Sequence, residues 1–145
     1  MTIHQDAIKL LKECNAGVKM GIDSIAEILD HVQDDNLKQI LNSCREEHQK
    51  IDSEVHQLLN RYDESGKEPN AVAKGMSWLK TNMKMSMNES DNTIADLITD
   101  GCNMGVKSLN RYLNEYQAAD EQAKDIAKKL IYLEQQMVVD ISPYL

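Results

Sequence analysis

The chain of 145 residues carries a net charge of -8, fits one domain (1–145) large enough to hide most of its apolar surface, and has no cluster of Lys and Arg able to neutralise consecutive phosphates. Nucleic acid is excluded as an expected partner. A membrane is excluded too, because no apolar run approaches the ~18 residues a span needs, and Met1-Thr2-Ile3-His4-Gln5-Asp6 lacks the basic segment and apolar block of a secretion signal; the expected setting is cytoplasmic.

With Phe absent and Gly and Pro scarce, Leu, Ile, Val and Met must fill the core, and an all-α chain is the default. The first helix starts at Thr2, where Thr2-x-x-Gln5 has the form of a capping box, and runs to about residue 31. Ile8, Leu11, Val18, Ile22, Ile25 and Leu29 mark its buried face by their spacings of three, four and seven. Gln33-Asp34-Asp35 supplies a short turn and a capping carboxylate for the second helix, with the stripe Leu37, Leu41, Cys44, His48, Ile51, Val55, Leu58 and Tyr62. Gly66 is its expected stop. So short a turn makes the two helices an antiparallel hairpin, about 2–64.

Residues 65–88 read differently. Ser65-Gly66-Lys67-Glu68-Pro69-Asn70 is loop, and Val72, Met76, Leu79 and Met83 form a shorter amphipathic crossover helix. Trp78 and Met85, with Ala71 and Gly75, add a second apolar strip, read either as a broad contact arc with Trp78 tucked against the second and third long helices or as a surface for another copy or a protein partner. Ser90 or Asp91 then caps a third helix carrying Ile94, Leu97, Ile98, Cys102, Val106, Leu109, Leu113 and Tyr116. After the turn Ala118-Ala119-Asp120, a fourth carries Ala123, Ile126, Ala127, Leu130, Leu133, Met137 and Ile141 and ends at Ser142-Pro143. This is a second hairpin, about 90–142. The connection between hairpins is long enough to cover a helix of roughly 40 Å, so the third helix is expected to run parallel to the second.

A hexamer repeats across the hairpins: Cys14-Asn15-Ala16-Gly17-Val18-Lys19 and Cys102-Asn103-Met104-Gly105-Val106-Lys107. It marks a duplicated unit. Counting back from the turns sets His48 beside Val18 and Glu134 beside Asn103. In antiparallel first and third helices, residues whose numbers sum to about 122 share a level, so Gly17 and Gly105 are expected to face each other at a pseudo-twofold axis. His48 and Glu134 occupy equivalent stripe positions and need polar partners in a dry core; Asn15 and Asn103 are the expected ones. The three cysteines fall on apolar stripes with no C-x-x-C pair, as small buried thiols do.

The duplicated hairpins, the crossover and these mid-helix positions resemble the ferritin-like four-helix-bundle superfamily over almost the whole chain, and are most similar to its uncharacterised bacterial members with Cys14-Asn15-x-Gly17 and Cys102-Asn103-x-Gly105 stretches. Catalytic members hold two metal ions through a Glu on each of two helices and a Glu-x-x-His on each of the other two. Here the corresponding positions read Arg45-x-x-His48 and Ile131-x-x-Glu134. Glu47-x-x-Lys50 and Glu134-x-x-Met137 offer no substitute, and Glu27 and Glu115 should point outward. The resemblance therefore implies a bundle without a full oxidase ligand set, no catalytic residues and no required cofactor. The leading expectation is a structural or interaction protein that forms a homodimer or binds a protein partner. The alternatives are a degenerate metal-binding or oxidative-stress protein holding a divalent ion weakly through His48, Glu134 and Glu47, and a component of a larger assembly such as a spore coat. No phosphate-binding Gly-rich loop, nucleophile elbow or Cys-His constellation suggests another chemistry.

Overall fold

The computed structural model describes residues 2–66 and 90–145, with side chains from His4 onward. Within them lie α1 (Thr2–Ile28), α2 (Asp35–Arg61), α3 (Asp91–Glu115) and α4 (Glu121–Ile141), with 3₁₀ turns at Leu29–His31 and Ser142–Tyr144. The side chains of Asp34, Ser90 and Asp120 accept from the amides of Leu37, Thr93 and Ala123. Each cap satisfies a donor that the helix cannot, a contribution of about 1 kcal/mol.

The end of α2 differs from the sequence expectation. The chain leaves the helix at Asp63, whose φ is 55°, and not at Gly66. The Glu64 amide returns to the Leu59 carbonyl at 3.0 Å and the Asp63 amide to that of Asn60 at 3.1 Å, the two bonds of a Schellman motif. Asp tolerates the left-handed conformation better than most side chains, so no glycine is needed there.

Contacts at the two ends give the helix directions. The Ala118 amide, in the α3–α4 turn, donates to Asp6 near the start of α1, and Tyr62, just past α2, donates to Asp120 at the start of α4. At the opposite end the amides of Gln33 and Asp34 donate to Asp91, and Tyr144 donates to Asp34. Helices α1 and α4 therefore run one way and α2 and α3 the other. The end of α2 and the start of α3, which residues 67–89 join, lie at opposite ends of the bundle. Besides its own hairpin partner, α1 packs against α4 and, less extensively, α3, whereas α2 packs mainly on α1 and α4.

The interior is two apolar clusters. One holds Leu10, Leu11, Cys14, Val18, Ile51, Val55, Leu59, Leu109, Ala123 and Leu130 among others. The other holds Ile25, Ile28, Leu37, Leu41, Cys44, Ile94, Ile98, Cys102, Met137 and Ile141. Along every helix the boundary falls at a break in the apolar series. These breaks are Gly21 on α1, His48 on α2, Gly105 on α3 and Glu134 on α4. Mid-bundle, two small residues and two polar ones thus make a layer between two greasy halves.

Several sequence expectations are corrected here. Gly17 is exposed, and a Cβ added to it would meet nothing within 4 Å, so it does not face Gly105. The level count holds, since Asp6 meets Ala118 and Gln33 meets Asp91; the helix face is the part that differs. Asn103 is also exposed and takes no part in a core layer. The expected crossover helix and its strip with Trp78 and Met85 fall on residues outside the described ones.

Candidate functional site

His48 is 2 % exposed and Glu134 14 %, and His48 Nε2 lies 3.1 Å from Glu134 Oε1, joining α2 to α4. The other ring nitrogen, Nδ1, is 2.8 Å from the carbonyl oxygen of Cys44. A carbonyl only accepts, so Nδ1 carries a proton and donates. The contact to Glu134 then needs one more proton between Nε2 and Oε1, which makes the pair an imidazolium facing a carboxylate or a neutral imidazole facing a carboxylic acid. Burial by itself pushes the imidazole towards its neutral form. Hydrogen bonding to the Cys44 side chain and then to Glu134 outweighs it, and the His48 pKa is pushed up to about 10. The shift favours the protonated imidazole.

Two glycines make room for this pair. A Cβ on Gly21 would stand 2.9 Å from both Cδ2 and Nε2 of His48, closer than packed atoms approach, so the imidazole fills the space a side chain on α1 would need. Gly105 is looser: a Cβ there would lie 3.7 Å from the Glu134 carboxyl carbon, an ordinary contact. The neighbour of His48 on α1 is thus Gly21 and not Val18, one turn from the expected position, and Glu134 lies by Gly105 and not Asn103. Sequence reasoning missed Gly21 because only Gly17 belongs to the repeat. The available signal was its place three residues past Val18 and four before Ile25, where an apolar residue would continue the stripe.

Two thiols flank the pair. Cys44 Sγ is 3.4 Å from His48 Nδ1. Cys102 lies one turn from Gly105, and its thiol pKa is driven upward by burial and then by the nearby Glu134 charge. Cys14, in the other cluster, is pushed up to about 12 by burial and by Glu13. All three cysteines are buried and free, as their stripe positions implied. Cys14 and Cys102, held protonated, are poor nucleophiles.

Asn15 is fully buried, and its side-chain amide serves a different cluster from the His48–Glu134 pair. It donates to Asp52 Oδ1 at 2.8 Å and reaches His56 Nε2 at 3.3 Å. His56 and Asp52 are themselves 3.5 Å apart. This second polar cluster, between α1 and α2, departs from the sequence expectation, which set Asn15 beside the His48–Glu134 layer. Gly66 covers it: a Cβ at Gly66 would overlap the Asn15 side chain.

Glu47 does not join His48. It is exposed and paired with Lys50 at 3.0 Å on the outer face of α2. Glu27 and Glu115 are exposed as expected. Among the described residues no group of three His, Cys, Asp or Glu side chains is placed to hold a metal ion. The di-metal set that the resemblance implies does not fit these donors, since the position equivalent to its Glu is Arg45 in one motif and its His position holds Glu134 in the other, already satisfied by His48. No helix among the described residues is long and apolar enough to cross a membrane. No family model, curated protein or solved structure matches the chain.

Proposed function

We propose that this chain is a ferritin-like bundle that works as a structural or interaction protein, through homodimerisation, and not as an oxidase. The helix directions, with two short turns and one end-to-end connection, support the ferritin-like reading. The observation that carries the functional half is the closure of the central layer. Both nitrogens of His48 are committed, one to the Cys44 carbonyl and one to Glu134, so a metal would have to displace the proton that holds α2 to α4. A polar pair of this kind, with the imidazole buried and both its nitrogens bonded, fixes which helix faces meet, a role attested for isolated polar groups in helical cores.

Metal titration and elemental analysis of protein purified without chelator test this reading. Sub-stoichiometric iron or zinc, unchanged in His48→Ala, is the expected outcome. One or two equivalents that disappear in His48→Ala would overturn it in favour of the metal-binding alternative.

A further inference from the structure

An open groove of about 780 Å³ runs along the outside of the bundle between α2 and α4. Its floor is Ile51 and Leu133, and its walls differ in charge. The α2 wall presents Glu47, Lys50 and Glu54, two carboxylates to one amine, and the α4 wall presents Asp125, Lys128 and Lys129, two amines to one carboxylate. At its edge stands Tyr132, 67 % exposed, the most exposed of the large apolar side chains described.

We propose that this groove is the face through which two copies of the chain associate, resting on the dimeric reading above. A twofold axis lying along the groove carries each α2 wall over the partner's α4 wall, so acid meets base on both sides with one symmetric patch. An axis across the groove would instead set like walls together. Two cross-groove pairs, His48 with Glu134 and Glu54 with Lys129, put Tyr132 level with Lys50 and Ile51. The same axis therefore lays Tyr132 on the Lys50 and Ile51 of the second copy, where the ring covers an apolar floor and receives an ammonium on its face. Lys128 comes over the Glu54 of that copy by the same operation. An exposed tyrosine beside an apolar floor with charged walls matches the composition of association surfaces.

Light scattering and sedimentation on the full chain test the proposal. The wild type is expected at twice the 16.5 kDa chain mass, with Tyr132→Glu dissociating at concentrations at least tenfold higher and Tyr132→Phe unchanged. Tyr132 is solvent-facing, so helical circular dichroism should be preserved in both. The decisive arm is a charge exchange: Glu54→Lys and Lys129→Glu each weaken association alone, and an equimolar mixture of the two chains restores it. The pair inside each chain stays broken in that mixture, so only contacts between copies can produce the rescue. A wild-type dimer indifferent to Tyr132→Glu, or a mixture no tighter than its components, removes this surface and leaves the dimeric reading standing. A wild type monomeric at all concentrations removes both.

Discussion

The two copies of Cys-Asn-x-Gly-Val-Lys are nearly the same in sequence and live in different surroundings. In the first, Asn15 is fully buried on Asp52 and His56 while Gly17 faces solvent. In the second, Asn103 faces solvent while Gly105 borders Glu134. The cause is not in the hexamers. Glu134 on α4 reaches the second copy, whereas Asp52, His56 and Gly66 enclose the first. Identical residues on equivalent helices acquire their roles from whatever the next helix places opposite them.

The sharpest way to break the comparison is at the glycine outside the repeat. Gly21→Leu should destabilise the fold by about 3 kcal/mol or more, because it overpacks the core and forces His48 off Glu134, whereas Gly17→Leu should leave the urea midpoint no lower than wild type. Equal losses at both positions would restore Gly17 to the helix interface. The next effect is read in pH. The His48 pKa rises from 6.5 to about 10 on folding, so the folded state binds the proton more tightly. Its stabilising contribution is complete below pH 6.5 and is lost as pH climbs through 10. The stability difference between wild type and His48→Gln should shrink over that window, and a difference that stayed flat would show that folding does not raise the His48 pKa. Smaller still, Asn15→Ala should cost about 1–3 kcal/mol through loss of the hydrogen bond that the buried amide gives the half-buried Asp52 carboxylate, against about 0.5 kcal/mol or less for Asn103→Ala; chemical denaturation of the two variants measures the contrast. Smallest is a gain: Gly17→Ala should stabilise by up to about 1 kcal/mol, since a solvent-facing mid-helix glycine only weakens the helix, and a fall in melting temperature would count against an open Gly17.

Much of the fold was legible. Caps at Asp34 and Ser90 and the apolar stripes of all four helices follow from local chemistry and a period of 3.6, which the chain states directly. That His48 and Glu134 share a level followed from counting along hairpins. What counting along one helix does not give is rotation about its axis to the nearest turn, and the error at Gly17 is of that kind. Gly17 and Gly21 are one turn apart, so both satisfy a level argument within its precision, but only the inter-helix packing decides which one meets the imidazole. The Asn15 cluster was hidden for a different reason. Asp52 and His56 lie beside the apolar stripe of α2 and not on it, so the period assigns them no partner on α1.

The fastenings at the two ends bear on the order in which the chain folds. Tyr144 reaches Asp34 and Asn36, and Ala118 reaches Asp6, at sequence separations of 110 and 112 for Tyr144 to Asp34 and Ala118 to Asp6. Each hairpin can assemble from neighbours close along the chain, but these bonds close a loop through nearly all of it and offset that entropy only after the hairpins have docked. They belong on the native side of the barrier. Loss of the Tyr144 hydroxyl should accordingly quicken unfolding and leave the folding rate almost untouched.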